Sequence, residues 1–330
     1  MHVLVTGATG FIGLHLCKEL LKKGFEVTGI ARSPRIIESM CTSGSGQLHM
    51  KYCDITKENN LLNLFNEIGS IDGVFHLAGQ TYRRDSPGIH TYFRNNFLAT
   101  LNLLECCRIF KIKKIVFSSS YNVYGLGIGK YIPKYLPIDE SHNVRPYDFY
   151  DASKYHAEQL CEFYHARFGM AVSILRYSKI YGPGLEEGVV YEVIRKALLN
   201  LPIEIHGNIS TDFVFIDDIV NANLASFDRV PKFEIYNIGS GQESSLLNLC
   251  SMIIEFTKST SKIKYSKEPV GHLSLDISKA KRDLNYEPKK LEDGLITIID
   301  YIRKRLSIFD IAGSISLLIS LIFKTGCDLQ

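Results

Sequence analysis

Short apolar runs alternate with longer stretches that repeat apolar residues at helical spacing along the first half of the chain. The short runs predict β-strands and the longer stretches predict helices. The predicted strands are residues 2–6, 25–30, 48–53, 73–78 and 113–119, and the predicted helices are residues 11–23, 57–67, 88–110 and 150–168. The alternation predicts an α/β fold with a doubly wound parallel sheet and a ligand at the carboxyl ends of its strands.

The second half of the chain is less regular. Residues 171–177 predict one further strand, and no internal repeat or long linker separates the parts. We expect a nucleotide-binding domain of residues 1–170 that also includes about 212–240, and a smaller, interleaved α/β substrate-binding lobe of residues 171–305. An apolar tail, residues 306–330, completes the chain.

A glycine-rich loop follows the first predicted strand. Gly7, Gly10 and Gly13 are spaced for a tight turn, a close approach of backbone to a pyrophosphate and close packing of helix on strand. The amino end of the next helix then faces the phosphates. Strand, loop, helix and second strand within one unit predict a Rossmann-type domain that binds NAD or NADP.

A tyrosine and a lysine four residues apart begin the predicted helix 150–168. Tyr150 and Lys154 project from the same face of that helix. An ammonium beside a phenol favours the phenolate and is expected to lower the pKa of the phenol. With a serine hydroxyl from the run Ser118–Ser120, such a pair passes a proton to or from an alcohol or ketone oxygen while a cofactor carries the hydride.

The composition of the chain limits the kinds of protein it can be but does not identify its function. The 330 residues are 45% hydrophobic and 22% charged, which suits one large domain or two intimate lobes. A formal net charge of +3 does not favour nucleic acid as a partner. The eight cysteines lack a Cys-x-x-Cys pair, which favours a reduced cytoplasmic protein without structural zinc or another metal. We expect no signal peptide, because residues 1–5 already belong to the first strand.

Several short motifs occur in an order that one enzyme superfamily shares. They are Gly7-x-x-Gly10-x-x-Gly13, Asp54-Ile55, His76-Leu77-Ala78-Gly79, Ser118-Ser119-Ser120-x-x-Val123-Tyr124-Gly125, Tyr150-x-x-x-Lys154 and Tyr181-Gly182-Pro183-Gly184. From about residue 2 to about residue 300, the chain resembles the extended short-chain dehydrogenases/reductases, in their nucleotide-sugar epimerase/dehydratase branch. The resemblance implies a nucleotide-linked sugar as the substrate, and we expect a homodimer through helices 88–110 and 150–168.

The resemblance also implies the site. The implied catalytic residues are Ser120, Tyr150 and Lys154. The implied cofactor-binding residues are Gly7, Gly10, Phe11, Ile12, Gly13, Arg32, Asp54, Ile55, Leu77, Ala78, Gly79, Asn96, Ser118, Tyr150, Lys154 and Tyr177. The implied substrate-binding residues are Ser120, Tyr121, Tyr124 and Lys179.

Three of these positions also fit other roles. Asp54, implied to accept a hydrogen bond from the adenine amine, also suits an N-cap or a turn before Thr56. Asn96, implied to fix a helix or a water behind the nicotinamide, also suits a helix surface. Tyr124 suits packing at a strand end as well as it suits substrate contact.

The residues at the end of the second predicted strand indicate whether the chain prefers NAD or NADP. NAD enzymes usually place an acid there, whereas this chain has Ala31 and Arg32. Arg32, helped by Ser33 and Arg35, can pair with a 2′-phosphate, so the sequence favours NADP over NAD. A solvated arginine at the mouth of a loop is the alternative.

Departures from the family pattern bear on the reaction. The related sugar dehydratases carry an acid pair directly after the active serine or threonine, where this chain has Tyr121 and Asn122, so dehydration is disfavoured. Lys179 stands where relatives usually have asparagine, Thr211 stands where they often have arginine, and His272 is the one basic residue near a further phosphate-binding position. These changes leave the sugar and the nucleotide open.

Three functions fit the sequence. The first is NADPH-dependent reduction of a nucleotide-linked 4-ketohexose, and the second is 4-epimerisation with tightly bound NAD. The third is a dinucleotide-binding interaction protein without turnover, against which the intact Ser120, Tyr150 and Lys154 argue.

The tail is unusually apolar. Residues 311–323 are all uncharged, but this run is shorter than the ~20 residues that span a bilayer. We expect a helix packed on its own lobe or on a partner subunit. The basic run 303–305 supports the alternative of an interfacial membrane anchor.

Overall fold

The computed structural model describes residues 1–32, 45–81, 88–126, 131–229 and 232–306. The strands are β1 (His2–Thr6), β2 (Glu26–Ala31), β3 (Gln47–Tyr52), β4 (Gly73–His76), β5 (Lys114–Ser120), β6 (Ala171–Tyr177), β7 (Lys179–Tyr181), β8 (Ile203–Phe215), β9 (Phe233–Ile238), β10 (Glu243–Ser245) and β11 (Ile263–Gly271). The helices are α1 (Phe11–Lys22), α2 (Glu58–Ile68), α3 (Ile89–Tyr92), α4 (Ala99–Ile109), α5 (Phe149–Phe168), α6 (Gly188–Leu198), α7 (Ile216–Arg229), α8 (Leu246–Thr257) and α9 (Ser278–Leu284). Residues 291–306 are also helical.

A parallel sheet of seven strands forms the larger part of the molecule, in the order β3-β2-β1-β4-β5-β6-β9. Its first six strands have the doubly wound order in which the direction of winding reverses beside β1. The predicted fold class is confirmed, and the predicted bounds of the first six strands agree with the structure to within two residues. The carboxyl ends of β1, β4 and β5 therefore lie side by side.

Helices cover both faces of this sheet because its strands carry apolar residues on both sides. On β1, Val3 and Val5 face the α1 and α7 layer, whereas Leu4 faces the layer of α2, α4 and α5. All three side chains are fully buried. Successive side chains of a strand point to opposite faces of the sheet, so an uninterrupted apolar run indicates a strand with helices packed on both faces.

A smaller sheet lies in the second half of the chain. The long strand β8 pairs with β10 on one edge and with β11 and β7 elsewhere along its length. β6 and β9 belong to the large sheet, which therefore extends past residue 170 and draws on residues 233–238. The chain thus crosses between the two sheets more than once.

The predicted helix 88–110 is divided into three segments. Residues Phe93–Leu98 form a π-helical segment between α3 and α4. A π-helical turn accommodates an extra residue and is frequent at functional sites. Here it places the side chain of Asn96 in the interior.

Several sequence predictions fall on parts of the chain that the structure does not describe. Ser33 and Arg35 lie in 33–44, and all of the apolar tail but Leu306 lies in 307–330. Over the described ranges, no helix has the length and the apolar character needed to cross a membrane.

Candidate active site

The glycine loop between β1 and α1 is tightly packed on one side and open on the other. Gly7 has φ +71°, and a β-carbon there would lie 2.9 Å from the Ala78 amide nitrogen. A β-carbon on Gly13 would lie 2.1 Å from the carbonyl oxygen of Gly7. At Gly10 the nearest such neighbour is the same oxygen, at 3.1 Å, and apart from the adjoining residues no other heavy atom of the described residues lies within 4 Å. Gly10 thus faces open space, as a residue beside a bound pyrophosphate must.

Helix α1 begins directly after this loop. Gly10 is its N-cap, and the first turn, which starts with Phe11, Ile12 and Gly13, contains no acidic residue. The first amide N–H groups of a helix have no acceptor within that helix and carry a partial positive charge. The residues therefore fit the phosphates of a dinucleotide.

The second strand ends close to a carboxylate. Arg32 is exposed at the end of β2, and Asp54 follows β3. Burial acts to raise the pKa of Asp54, but hydrogen bonds from Thr56 and the charges of Lys57 and Arg32 lower it on balance. One oxygen of Asp54 accepts hydrogen bonds from the amide (3.0 Å) and the hydroxyl (2.8 Å) of Thr56.

Asp54 thus forms the turn before α2, which was the alternative to adenine binding. Ile55 is buried beside it, and its carbonyl oxygen accepts a hydrogen bond from Asn102 at 3.1 Å. Both residues lie beyond the carboxyl end of β3, the same edge of the sheet as the glycine loop. They remain predicted cofactor-binding residues.

Asn96 links the end of β4 to α5. Its side-chain oxygen accepts from the Gln80 amide at 2.6 Å, and its nitrogen donates to the Gln80 carbonyl oxygen (3.1 Å) and the Ser153 hydroxyl (2.8 Å). Only 2% of Asn96 is exposed, which excludes the helix-surface alternative. A β-carbon on Gly79 would lie 2.9 Å from the Asn96 side-chain oxygen. Glycine at position 79 therefore leaves room for this asparagine.

His76, in the same motif, is a packing residue. Its two ring nitrogens hydrogen-bond the hydroxyls of Thr6 (2.7 Å) and Thr100 (2.9 Å). Burial, aided by the charge of Lys154, lowers the pKa of His76 to about 3. The imidazole is therefore neutral at physiological pH. The hydroxyl of Thr6 also accepts from the Ala78 amide at 3.1 Å, so the histidine helps to hold Leu77 and Ala78 in place.

The serine run at the end of β5 packs on one side of α5. The Ser118 carbonyl accepts a hydrogen bond from Lys154 Nζ at 2.6 Å, and the Ser119 hydroxyl donates to Glu158. The Ser120 side chain hydrogen-bonds Tyr150 and caps the short 3₁₀ helix Tyr121–Tyr124 through the Asn122 amide. Residues at positions 150, 154 and 158 share one helix face, so three consecutive strand residues meet one face of α5.

Tyr150 and Lys154 are both buried, with 8% and 7% of their surfaces exposed. Asp148 caps α5 by accepting from the Asp151 amide at 3.0 Å, which places Tyr150 in the first turn. The ring of Tyr150 packs edge-on against Tyr92 at 5.9 Å. The phenol of Tyr150 and the hydroxyl of Ser120 thus meet at the carboxyl end of β5, and the ammonium of Lys154 is bound to the backbone of the same strand end.

The expected lowering of the Tyr150 pKa is wrong for this structure. Burial raises the pKa of Tyr150 to about 12, and the hydrogen bond from Ser120 only partly opposes the shift. Burial also lowers the pKa of Lys154 to about 8, against the charge of Glu158. The loss of hydration outweighs the local attractions because both groups lie in the interior.

The remaining predicted site residues differ in their exposure to solvent. Tyr121 is half-buried beside Ser120, and Lys179 is exposed on β7. Tyr177 is buried, and its hydroxyl contacts the Asn223 side chain at 2.8 and 3.1 Å and hydrogen-bonds Ser118. Tyr177 lies opposite Ser120 in the parallel pairing of β5 and β6.

The structure favours the packing alternative for Tyr124 over the predicted substrate contact. Tyr124 is 1% exposed; its hydroxyl accepts from Arg176 at 3.0 Å and donates to the Asn237 side chain at 2.7 Å. Both partners belong to the protein, which makes this tyrosine a packing residue.

Two residues that the sequence analysis passed over complete the arrangement. Glu158 accepts two hydrogen bonds from the Arg176 guanidinium, at 3.1 and 2.7 Å. Ser153 joins Asn96 to the backbone carbonyl of Tyr150, at 2.8 Å on each side. The spacing of Glu158, one helical turn after Lys154, was the signal that could have identified it.

Comparison with known proteins places this arrangement among nucleotide-sugar enzymes. Residues 3–239 match the model of the NAD dependent epimerase/dehydratase family. An uncharacterized UDP-glucose epimerase of Bacillus subtilis is 34% identical over 316 residues, covering 92% of this chain and 98% of the relative.

Two solved structures are similar over nearly the same range. UDP-glucose 4-epimerase of Thermotoga maritima, solved with UDP-glucose, has a TM-score of 0.82 and 30% identity and covers 93% of this chain and 100% of its own. UDP-glucuronic acid 4-epimerase of Bacillus cereus, solved with UDP-glucuronic acid and NAD, has a TM-score of 0.79 and 32% identity. It covers 92% of this chain and 99% of its own.

Proposed function

Since the chain belongs to the NAD dependent epimerase/dehydratase family, we propose that it interconverts the C4 epimers of a UDP-linked hexose or hexuronic acid. The observation that carries the proposal is the hydrogen bond between Ser120 and the buried Tyr150, with Lys154 one helical turn further along α5. The similar solved structures, a UDP-glucose 4-epimerase and a UDP-glucuronic acid 4-epimerase, support the substrate class.

Tyr150 is the acid-base group in this proposal. It accepts the proton of the C4 hydroxyl as the alcohol is oxidised and returns a proton to the C4 oxygen after the ketone has turned its other face. Ser120 donates a hydrogen bond to the same oxygen. A bound nicotinamide supplies the hydride acceptor and donor. The positive charge of Lys154 stabilises the phenolate, which burial alone disfavours.

The glycine loop and the adjacent strand ends form the proposed cofactor site. The loop residues Gly7, Gly10 and Gly13 and the first turn of α1 hold the pyrophosphate, since Gly10 leaves that side open. Asp54 and Ile55 would bind the adenine end, and Lys154 would hold the nicotinamide ribose. The segment Leu77–Gly79 would line the ribose-phosphate side, and Asn96 holds the next residue, Gln80, by two hydrogen bonds.

Arg32 supports a second candidate, an NADPH-dependent 4-ketosugar reductase. It is exposed at the end of β2, where an acid for the ribose hydroxyls is usual in NAD enzymes. An arginine there suits a 2′-phosphate, which NADP carries and NAD lacks. A 4-epimerase returns its hydride to the same sugar and needs no second cofactor, whereas a reductase consumes NADPH.

One experiment separates the two candidates. The purified protein is denatured, the released cofactor is identified, and fresh protein is incubated with UDP-glucose or UDP-glucuronic acid without added cofactor. Conversion to the C4 epimer, followed by proton NMR, together with released NAD, supports the epimerase. A Tyr150→Phe variant is the control for contaminating activity. Failure to convert either sugar, with NADPH-dependent reduction of a 4-ketosugar nucleotide instead, overturns the epimerase in favour of the reductase.

We further propose a homodimer through α4 and α5. Ile109 on α4 and Phe163 and Phe168 on α5 are large apolar residues that are 45%, 58% and 41% exposed. Pairing of the two helices with the same helices of a second copy would remove these side chains from water. Phe163→Glu is expected to give monomers in sedimentation velocity, whereas Ile132→Glu, a control at a residue that is 90% exposed, should not.

A further inference from the structure

Glu158 lies in a buried network of charged groups behind the candidate active site. Its side chain is 4% exposed and that of Arg176 is 3% exposed. Both carboxylate oxygens of Glu158 accept from Arg176, and the Ser119 hydroxyl adds a further hydrogen bond. Arg176 in turn donates to the Tyr124 hydroxyl. The carboxylate is therefore held in one place by three elements of the fold.

Position on the helix directs this carboxylate toward Lys154. Glu158 follows Lys154 by one turn of α5, so both project from the face that packs on β5. The Lys154 ammonium donates to the Ser118 carbonyl, one residue before the serine that holds Glu158. The negative charge of Glu158 acts to raise the pKa of Lys154, against the larger effect of burial.

The other titratable groups that face Lys154 are uncharged at neutral pH. His76, on β4, has its pKa lowered to about 3 by burial. Cys161, on α5, has its thiol pKa raised by burial, and burial likewise keeps the phenol of Tyr150 protonated. Among these neighbours, Glu158 supplies the charge that favours an ammonium over an amine.

We propose that Glu158 is an electrostatic positioning residue, whose carboxylate, fixed by Arg176 and Ser119, keeps the buried side chain of Lys154 protonated at neutral pH. The role deepens the proposed function, because Lys154 must be charged to stabilise the Tyr150 phenolate. Glu158 acts through Lys154 and contacts neither substrate nor cofactor. Arg176 has two effects: it orients the Glu158 carboxylate, and its positive charge partly offsets the negative charge of that carboxylate.

Two single substitutions of the pair are expected to have opposite effects. Glu158→Gln removes the attraction on Lys154 and should lower the pH at which it loses its proton. Arg176→Gln leaves the Glu158 charge without its counter-ion and should raise that pH. Each variant breaks the same buried pair, so damage to packing alone does not predict opposite signs.

The test reads Lys154 directly in cofactor-free protein. Protein labelled with ¹³C at the lysine ε-carbons is titrated by NMR, and the Lys154 signal is assigned by its loss in Lys154→Met. We expect a midpoint at pH about 8 in the parent protein. In Glu158→Gln the midpoint should fall by at least half a pH unit, about a threefold change in the dissociation constant. In Arg176→Gln the midpoint should rise.

Asp212→Asn is the matched control. Asp212 is a fully buried carboxylate that accepts from the Ser240 and Gly241 amides at 2.6 and 3.0 Å, in a different part of the fold. Its replacement should leave the Lys154 midpoint unchanged. Shifts of the same sign in both pair variants, or no shift in either, would overturn the proposal.

A double variant covers the case in which a single variant does not fold. Glu158→Gln with Arg176→Gln removes both charges of the buried pair, so that neither is left without its partner, and should still lower the midpoint. An unchanged or raised midpoint in this variant would contradict the proposed role. The titration uses neither substrate nor cofactor, so its outcome is independent of whether the chain proves to be an epimerase. In active protein, the alkaline limb of kcat/KM should move with the NMR midpoint.

Discussion

Two glycines of the same loop are expected to fail in different ways when replaced by alanine. Gly13→Ala places a methyl group 2.1 Å from the Gly7 carbonyl oxygen and 2.8 Å from the Ala8 α-carbon. Both contacts are with backbone, which cannot rotate out of the way. Within the parts of the chain that the structure describes, a methyl group at Gly10→Ala meets the Gly7 oxygen, at 3.1 Å, and no other atom beyond the adjoining residues. The first change should destabilise the fold, and the second should impair cofactor binding.

The magnitudes follow from these contacts. Overpacking of this kind costs about 3 kcal/mol of unfolding free energy, and the better helix propensity of alanine returns about 1 kcal/mol for Gly13→Ala. The net loss of about 2 kcal/mol corresponds to a fall of about 3 °C in Tm for a chain of 330 residues. Gly10→Ala exchanges one N-cap residue for a poorer one and should cost less than about 1 kcal/mol. Its methyl group would occupy the pyrophosphate position, and the affinity for NAD should fall at least about tenfold.

The assay measures both quantities on protein freed of cofactor. Thermal unfolding gives the stability of each variant, and calorimetric titration with NAD gives its affinity. Ser70→Ala, in the loop between α2 and β4, serves as a control that should change neither. A Gly10→Ala protein that binds NAD as the parent does would show that this loop does not hold the pyrophosphate. A Gly13→Ala protein with an unchanged Tm would refute the steric reasoning.

Three further predictions concern the chemistry. Tyr150→Phe should abolish turnover while sparing cofactor affinity. Ser120→Ala should lower kcat by about 10² to 10³-fold, the usual effect of losing one hydrogen-bond donor at a developing oxyanion. Single-turnover kinetics measure both variants, and a Tyr150→Phe protein that is still active would contradict the acid-base role of this tyrosine. The depressed pKa of Lys154 means that the unfolded chain binds more protons than the native one between pH about 8 and 10.5, so the unfolding free energy should rise across that window. Lys154→Met should remove about 3 kcal/mol of that rise in urea titrations at several pH values, and an unaltered slope would contradict the shift. Arg32→Asp should favour NADH over NADPH, and a ratio of the two affinities that stays within about twofold would rule out a role of Arg32 in cofactor choice.

The large sheet was predictable because its signal is local. Val3, Leu4 and Val5 form an uninterrupted apolar run, which is typical of a strand that is covered by other elements on both faces of its sheet. The glycine loop follows this run directly. The π-helical segment was not predictable. A single extra residue in a helical turn changes the spacing of apolar residues too little to be recognised in the sequence, although it turns Asn96 into the interior.

The electrostatics of the site depend on burial, which the sequence does not give. A phenol and an ammonium one turn apart predict a lowered tyrosine pKa, but burial disfavours the phenolate, and Tyr150 and Lys154 are almost fully enclosed. Tyr124 illustrates the same difficulty. Its place after the serine run suggests substrate contact, but Arg176 and Asn237, from distant parts of the chain, occupy its hydroxyl.

The pairing of β5 with α5 explains why so short a stretch of sequence determines so much of the site. Ser118, Ser119 and Ser120 contact residues 154, 158 and 150, so one strand end fixes the ammonium, its carboxylate neighbour and the phenol together. A shift of α5 by one residue along its axis would break all three contacts at once. Burial also strengthens each local interaction: with little water present, the few charges and hydrogen bonds around Tyr150 and Lys154 act at fixed positions that are set by packing.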